Sequence, residues 1–359
     1  MTRPLLTRRL LIALPVVIPM LVMLAAGTIW IALRGSLPQY EGALDIPGLA
    51  APVSVERDKL GSVTIRAQER HDLAWALGYV HAQERFFEMD LMRRRAAGEL
   101  AELFGAGALP ADRKSRVHRM RARAVAALAA LPVSQRQLID AYRDGVNQGL
   151  DALAVRPFPY LLTQTQPVPW RSEDSILVVK AMYFTLNDAS NERELALSTM
   201  RGALPDVAYR FLTASGGEWD APLIGPAFRW PDPPSAVELD LRNLDPSLLR
   251  QDSGEYADTI PGSNGFAVSG QLTNGSALVA NDTHLELRVP NIWFRTRLIY
   301  PSSQRPETVN DHIGVGLPGT PAIAIGSNRQ IAWGFTNSYG DFTDWVRVRL
   351  DPSDPNRYR

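Results

Sequence analysis

Residues 261–268 read PGSNGFAV, and this stretch stands where the pattern of the chain changes. Upstream of it, apolar residues recur mainly at the spacing of amphipathic helices, and downstream apolar and polar residues alternate as they do in strands. Helices followed by strands predict an α+β protein with an extended, accessible segment at the junction. That junction covers residues 216–262, in which seven prolines interrupt every candidate element.

Local patterns predict the elements on either side of the junction. Two alternating stretches, 53–58 and 61–67, predict a β-hairpin with a turn at residues 59–61. Asp72 is predicted to cap a long helix that Gly105 could end. Further helices are expected at residues 111–130, 134–153, 172–186 and 192–200. Strands are expected at residues 265–269, 276–280, 293–300, 321–325 and 330–335.

The composition of the chain narrows its chemistry. The 38 basic and 38 acidic residues balance, which gives no electrostatic reason to expect a nucleic acid partner. Cysteine is absent, so disulfides, thiolate metal sites and a cysteine nucleophile are excluded. The five histidines show no pair at the spacing of a zinc site, and no glycine-rich nucleotide loop is present, so no organic cofactor is expected. Any nucleophile must be an oxygen or an amine.

The N-terminal region has the features of a membrane anchor. Residues 10–33 form an uncharged apolar run long enough to cross a bilayer as a helix, and arginines precede it in residues 1–9. The positive-inside tendency then predicts a cytoplasmic tail at 1–9, a single membrane span at 10–33 and a tether at 34–52. The region after the span would lie on the periplasmic or extracellular side of the membrane. A cleaved signal peptide is the alternative, because residues 25–27 are small.

The dipeptide Gly262-Ser263 could support self-cleavage. Glycine tolerates strained backbone geometry that would let the Ser263 hydroxyl reach the carbonyl carbon before it. Hydrolysis of the resulting ester would leave Ser263 with a free α-amine, whose reference pKa of about 7.7–8 suits a general base. The ordinary interpretation is a turn that leads into a strand. The tripeptide Gly-Ser-Asn of residues 262–264 also occurs at residues 326–328, in a predicted hairpin.

Four separated segments carry a resemblance to a known family. Residues 72–85, DLAWALGYVHAQER, continue at 93–102 as RRRAAGELAE and are similar to the opening helix of the penicillin acylase family. Residues 263–270 resemble the start of that family's β subunit. NDTHL at 281–285 resembles the signature Asn-Asp-Pro-His-Leu, with Thr283 in place of proline. Residues 318–337 together with 341–344 resemble a further block of the family.

The resemblance implies an N-terminal-nucleophile hydrolase with a four-layer αββα sandwich. Residues 53–215 would be the mainly helical α-subunit-like region, 216–262 a spacer, and 263–359 the start of the catalytic β-subunit-like region. Autoproteolysis between Gly262 and Ser263 would yield α and β chains that stay together as partners. The reaction implied is hydrolysis of a linear N-acyl amide, such as a β-lactam side-chain amide or an N-acyl homoserine lactone, through an acyl-serine.

The resemblance also implies roles for individual residues. Ser263 would be the nucleophile, His284 would hydrogen-bond beside its α-amine, and the backbone N–H of Asn337 would help to form the oxyanion hole. The remaining sites are an acyl pocket and a structural Ca²⁺ site, with these residues: Met182, Leu186 and Leu285 for the acyl group; Glu192, Asp341, Thr343 and Asp344 for calcium. Core packing for Met182 and Leu186, and a solvated loop for residues 341–344, are the alternatives.

Two further expectations follow from the resemblance. The family's β subunit is several times longer than residues 263–359, so the chain is expected to be an N-terminal fragment of the precursor and inactive by itself. The fold would be correspondingly incomplete. The alternative function is a membrane-tethered binding protein that keeps the fold without the chemistry. A serine hydrolase of another kind is not favoured, because neither Ser-x-x-Lys nor Gly-x-Ser-x-Gly is present.

Overall fold

A computed structural model shows two compact units. The first consists of Met1–Tyr183 and Gly262–Asn337, and the second of Phe184–Pro261 and Ser338–Arg359. About half of the predicted spacer, including residues 243–261, and the predicted calcium ligand Asp341 fall outside the described residues. The structure describes residues 4–187, 191–217, 219–220, 222, 224–240, 242, 262–285, 287–302, 305, 307–338, 340 and 342–358.

The first unit opens with a long apolar helix, α1 (Pro4–Gly35). Its segment Val17–Gly35 has a mean hydropathy of 1.9 and is not buried against the rest of the protein. The helix is therefore long and apolar enough to cross a membrane, as an anchor or as a signal sequence. The segment after it, expected to be a tether, contacts the next helix of the unit: the Gln39 N–H donates to Gln83 Oε1 at 2.9 Å.

The predicted hairpin is confirmed as β1 (Ser54–Arg57) and β2 (Val63–Arg66), an antiparallel pair. Its turn is held by the Asp58 carboxylate, which accepts the backbone N–H groups of Leu60 at 2.8 Å and Ser62 at 2.9 Å. Carboxylates commonly stabilise turns by accepting from backbone two residues onward. The same interaction lowers the pKa of Asp58.

The long helix α2 (Arg70–Ala97) has different ends from those predicted. It begins before Asp72, whose buried carboxylate instead accepts the N–H groups of Ala50 and Ala51, each at 3.0 Å. It ends at Gly98, not at Gly105, because Gly98 adopts the left-handed conformation with φ 71°. The Gly98 N–H donates to the Arg94 carbonyl. A glycine in this conformation is a common helix terminator.

The rest of the helical region of the first unit largely follows the predicted positions. The helix expected at 111–130 is interrupted, because Arg119 has a φ of 51° and separates two shorter helices. A short 3₁₀ segment, Gly105–Ala108, precedes the first of these, and the short helix α7 was not predicted. The helices are α3 (Ala101–Phe104), α4 (Leu109–Arg116), α5 (Met120–Ala130), α6 (Val133–Asp151), α7 (Phe158–Leu162) and α8 (Ser172–Leu186).

Helices α2 and α6 pack at unusually short distance because glycines lie at their contact. A Cβ atom added at Gly145 would lie 1.9 Å from the Trp75 carbonyl oxygen, and one at Gly78 would lie 2.2 Å from the Tyr142 carbonyl oxygen. Such separations leave no room for a side chain. The tyrosine and tryptophan rings around this contact, including Tyr142 and Trp170, are almost completely buried in the core.

A buried polar network ties α2 to the segments that follow it. Oδ1 of Asp90 accepts Nε–H groups from Arg93 at 2.7 Å and from Arg94 at 2.8 Å, and Oδ2 accepts the Tyr160 hydroxyl at 2.6 Å. Arg93 also donates to Asp174 on α8 at 2.6 Å. Buried charges are tolerated when they are paired and hydrogen-bonded in this way. Burial and the neighbouring Asp90 carboxylate raise the pKa of Tyr160.

One face of α2 packs against a six-stranded sheet. The strands lie in the order β1-β2-β5-β6-β7-β8, with β2 and β5 parallel and the other neighbours antiparallel. Fully buried Val63 and Ile65 on β2 share the core with α2. The strands that join the hairpin in this sheet are β5 (Phe294–Pro301), β6 (Val309–Gly316), β7 (Ile325–Ser327) and β8 (Ala332–Trp333).

The sequence pattern does not predict strand β6. The strand expected at 321–325 is also displaced, because β7 begins only at Ile325. Residues 309–316 contain two glycines and three polar residues, a composition that weakens a local strand signal. Pairing with β5, from Phe294 opposite Gly316 to Pro301 opposite Val309, makes this segment a strand. Tertiary pairing therefore overrides local composition here.

A second, two-stranded antiparallel sheet in the first unit consists of β3 (Gly262–Val268) and β4 (Leu278–His284). The second unit contains its own short elements: α9 (Glu192–Ala203), α10 (Asp206–Leu212), β9 (Leu350–Asp351) and β10 (Asp354–Tyr358). Apart from the hairpin β1–β2, the described α-helices lie before residue 213 and the described strands from residue 262 onward, which confirms the α+β class expected from the sequence.

Candidate active site

The bond predicted to be cleaved lies at the beginning of β3. Gly262, which was expected in a turn, is instead the first residue of the strand and pairs with His284 of β4. Ser263 follows it and pairs with Thr283. The antiparallel ladder therefore extends across the Gly262–Ser263 bond and fixes the direction of the Ser263 side chain.

Ser263 is contacted by a segment far along the chain. The backbone N–H of Asn337 donates to Ser263 Oγ at 2.9 Å. Asn337 lies in the irregular segment after β8, whereas Ser263 belongs to β3, so the contact joins that segment to the two-stranded sheet. Because the contact uses the backbone of Asn337, it does not depend on the asparagine side chain.

The Asn281 side chain joins these two parts of the site. Its Nδ2 donates to the Asn264 carbonyl at 2.9 Å and to the Phe335 carbonyl at 3.0 Å, while its Oδ1 accepts the Phe335 N–H at 3.1 Å. Gly334 lies so close that an added Cβ would be 2.7 Å from Asn281 Cγ. In the sequence, Asn281 stands out only as the first residue of the 281–285 motif, which by itself gives it no role.

His284 lies at the end of β4 and its ring is partly exposed. Its Nε2 is 3.0 Å from Asp282 Oδ2 and 3.3 Å from Asn264 Nδ2. These contacts need opposite roles of Nε2, and the shorter one, to a carboxylate, favours Nε2–H as donor to Asp282. In this tautomer Nδ1 is an acceptor.

Thr283, which stands where the resembling signature has proline, makes a contact that proline could not. Its hydroxyl oxygen accepts the indole N–H of Trp293 at 3.3 Å. The interaction links β4 to the residue before β5. A threonine at this position is therefore accommodated by a polar partner.

Residues 52–359 match the family described as Penicillin amidase. The chain belongs to the penicillin amidase family. As a member, it has the fold of the N-terminal-nucleophile hydrolases, as the sequence motifs predicted. The relatives and the solved structure described next are proteins that this chain is similar to.

Among relatives in the penicillin amidase family, the chain is 33% identical over 329 residues to penicillin acylase 2 proenzyme of Pseudomonas sp. (strain SE83). That alignment covers 89% of this chain and 41% of the relative. The chain is 31% identical over 323 residues to acyl-homoserine lactone acylase QuiP of Pseudomonas aeruginosa, covering 88% of this chain and 36% of the relative. The chain thus spans about two fifths of the length of these curated relatives.

A solved structure, the thermostable penicillin G acylase from Alcaligenes faecalis, matches 50% of this chain and 98% of its own. The sequence identity is 26% and the TM-score is 0.41.

The residues predicted for the acyl pocket of this penicillin amidase family member lie in different settings. Met182 on α8 is partly buried and packs against the hydrophobic core of the first unit, as the core-packing alternative requires. Leu186 is the last residue of α8. Leu285 is partly buried, and its N–H donates to the Thr283 carbonyl at 2.9 Å. Their role toward a substrate remains a prediction.

The predicted calcium ligands are all oxygen donors, which is the donor chemistry that Ca²⁺ prefers. Glu192 begins α9, and the residue before it contacts the segment that carries the other ligands. Nδ2 of Asn191 donates to the Thr343 carbonyl at 2.7 Å, and Nε1 of Trp345 donates to the Asn191 carbonyl at 3.0 Å. Within the described part of the chain, no three His, Asp or Glu side chains form a metal-sized group. Calcium binding by these residues therefore stays a prediction, which rests on their oxygen-donor chemistry.

Proposed function

We propose that this chain carries the nucleophile and part of the oxyanion hole of an acylase that hydrolyses a linear N-acyl amide. The observation that supports this most directly is the hydrogen bond from the Asn337 N–H to Ser263 Oγ at 2.9 Å. In a tetrahedral intermediate, the oxyanion and Oγ are bonded to the same carbon. A donor that reaches Oγ is therefore near the place where negative charge develops, where such donors accelerate acyl transfer.

The first step of the proposed function is maturation. Ser263 Oγ attacks the carbonyl carbon of Gly262, the C–N bond breaks, and the acyl group moves from nitrogen to oxygen as an ester. Water then hydrolyses that ester, which leaves a carboxylate on Gly262 and a free α-amine on Ser263. In the uncleaved chain Ser263 already pairs with Thr283 in the β3–β4 ladder, directly after the bond that it would attack.

Catalysis would use the amine that maturation creates. The neutral α-amine takes the proton of the Ser263 hydroxyl as Oγ attacks the substrate carbonyl, with Asn337 N–H donating to the oxyanion. Collapse transfers that proton to the leaving amine and leaves an acyl-Ser263 ester, which water hydrolyses to the carboxylic acid. His284 pairs with Gly262 across the ladder and would accept a hydrogen bond beside the new amine through its backbone or ring.

The proposed substrates follow from the names of the relatives. One is a penicillin acylase and another is an acyl-homoserine lactone acylase. Both names describe removal of an acyl group from an amine, so we propose a β-lactam side-chain amide or an N-acyl homoserine lactone as the substrate. Met182, Leu186 and Leu285 would contact the acyl group.

The test compares the full-length wild-type protein with Ser263→Ala. Wild type is expected to yield a product whose N-terminus is Ser263, and to release acid from chromogenic phenylacetyl and long-chain acyl amides. Ser263→Ala is expected to stay uncleaved and inactive because no other oxygen occupies that position.

Ser327→Ala is the matched control, since Ser327 stands in the same Gly-Ser-Asn tripeptide. Its hydroxyl makes local contacts: it donates to the Ile331 carbonyl at 2.8 Å and accepts the Arg329 N–H at 3.0 Å. This variant should be cleaved and active. Cleavage or acid release by Ser263→Ala would overturn the proposal, and so would a wild-type protein that is folded but inactive toward all the amides tested.

We propose in addition that calcium joins Glu192 to the segment that contains Asp341, Thr343 and Asp344. The contacts of Asn191 with Thr343 and Trp345 support this proposal because they hold the start of α9 against that segment. A bound cation would stabilise the folded state by linkage. The unfolding temperature is expected to fall with a chelator and to recover with Ca²⁺, and Asp344→Asn should abolish this response.

We also propose that α1 anchors the protein, with the catalytic region on the periplasmic or extracellular side. The length and hydropathy of Val17–Gly35 support it. The protein should remain in the membrane fraction after alkaline washing and keep residues 1–9. A soluble product that begins after residue 27 would instead indicate a cleaved signal.

A further inference from the structure

The amide of Asn281 makes contacts that resemble those of a backbone peptide in a sheet. Toward Phe335 it both donates, through Nδ2 to the carbonyl at 3.0 Å, and accepts, through Oδ1 from the N–H at 3.1 Å. The second hydrogen of Nδ2 goes to the Asn264 carbonyl at 2.9 Å. Both donors of the amide are thus used, and a carboxylate could replace only the accepting contact.

The position of Gly334 shows how closely this contact is packed. An added Cβ would lie 2.7 Å from both Cβ and Cγ of Asn281 and 2.8 Å from its Oδ1. The absence of a side chain at residue 334 therefore allows the backbone to reach the asparagine amide. Two residues after Phe335, the Asn337 N–H points to Ser263 Oγ.

We propose that Asn281 is a positioning residue: it holds residues 334–337 against the β3–β4 hairpin so that the Asn337 N–H is directed at Ser263. This inference rests on the proposed function of Ser263 and Asn337. Asn281 touches neither Ser263 Oγ nor a substrate in this scheme. It acts through the backbone of Phe335, whose N–H and C=O belong to two successive peptide groups and both bind the Asn281 amide.

The experiment measures kcat and KM of full-length Asn281→Asp and Gly334→Ala, normalised to the protein that carries Ser263 as its N-terminus. Asn281→Asp keeps the shape but replaces two donors by a charge that repels two carbonyl oxygens. Gly334→Ala displaces the same contact from the other side. Both are expected to lower kcat by about 10²-fold, the effect of losing one oxyanion donor, with little change in KM.

The control is Asn274→Asp, the same substitution in the exposed turn between β3 and β4. It should leave kcat unchanged. The Asn281→Asp/Gly334→Ala double variant should be no slower than the slower single variant, because both disrupt one contact. Unfolding temperatures separate this effect from a general loss of structure, and Gly334→Ala alone decides the question if Asn281→Asp does not accumulate.

A kcat equal to that of wild type in both single variants overturns the role of Asn281. So does a fall in kcat of the same size for Asn274→Asp. These outcomes differ from failure of the proposed function, in which wild type itself is uncleaved and inactive or Ser263→Ala remains active.

Discussion

The backbone N–H of Asn337 donates to the hydroxyl oxygen of Ser263 at 2.9 Å, across 74 residues of sequence. The donor follows the last strand of the six-stranded sheet, and the acceptor lies at the start of the β3–β4 hairpin. Since a backbone group makes the contact, its geometry is set by the path of the chain and not by the identity of residue 337. This property leads to a test that separates backbone from side chain.

Asn337→Pro removes the N–H and is expected to lower kcat by about 10²–10³-fold, the range found for loss of an oxyanion donor. Asn337→Ala keeps the N–H and should retain most of the wild-type kcat. The measurement is steady-state hydrolysis of an acyl amide by the cleaved full-length protein. Equal losses in the two variants would show that the side chain, and not the backbone N–H, is responsible.

Gly145→Ala should destabilise the protein through the contact between α2 and α6. An added Cβ would lie 1.9 Å from the Trp75 carbonyl oxygen, so the helices must separate. Overpacking of this kind costs about 1–3 kcal/mol of the free energy of unfolding, measured by denaturant titration.

The matched control for this helix contact is Gly202→Ala on α9, where an added Cβ meets nothing within 4 Å. There alanine should stabilise the helix by up to about 1 kcal/mol because of its higher helix propensity. Loss of stability at Gly202 equal to that at Gly145 would contradict the explanation.

Asp90→Asn should also reduce stability, because it leaves the guanidinium groups of Arg93 and Arg94 without their shared carboxylate. The side chains of Asp90 and both arginines are at most 4% exposed. Breaking a buried ion pair in this way costs about 3–5 kcal/mol of the free energy of unfolding.

The control for Asp90 is Asp144→Asn. The Asp144 side chain is 55% exposed and pairs with Arg143 at 2.8 Å. A surface pair of this type contributes about 0–1 kcal/mol. Similar unfolding free energies for the two variants would contradict this prediction, because they would show that removing the Asp90 carboxylate costs no more than breaking a surface pair.

His81 should make the stability depend on pH. It is fully buried, its Nδ1 lies 2.7 Å from the Tyr142 hydroxyl, and that hydroxyl accepts the Gly319 N–H at 2.9 Å. The hydroxyl hydrogen is then available for donation to Nδ1, so His81 is held in the neutral form. Burial, with a smaller effect of Arg85, lowers the pKa of His81 to about 3.

In the unfolded chain the His81 pKa returns to about 6.5, so the unfolded state binds more protons between these two values. The contribution of neutral His81 to stability is therefore present above about pH 6.5 and is lost as the pH falls toward 3. His81→Gln should weaken the pH dependence of the unfolding free energy in this window. His71→Gln, at an exposed position of the same helix, should leave it unchanged. If the unfolding free energies of His81→Gln and wild type change with pH in parallel, this prediction is contradicted.

Local sequence patterns were sufficient for several features of the fold. The apolar N-terminal helix, the hairpin at 54–66 and the helices α6 and α8 follow from periodicity and composition within the segments themselves. The four separated motifs predicted the penicillin amidase family, which the match over residues 52–359 confirms. Each of these features depends on neighbouring residues or on residue identity along a short stretch.

Other features were decided by contacts between distant segments. Residues 309–316 form a strand because β5 pairs with them, and Asp72 binds the backbone at 50–51 and does not cap α2. Asn281 binds Phe335 and so lies between the hairpin and the segment that reaches Ser263. The sequence by itself determined the candidate nucleophile and the family, because both are expressed as local motifs. The resemblance named the Asn337 N–H as an oxyanion-hole donor, and only the tertiary structure decided that this N–H donates to Ser263 Oγ and that Asn281 binds the segment before it. Hydrogen bonds between residues so far apart in the chain leave no periodic trace in the sequence.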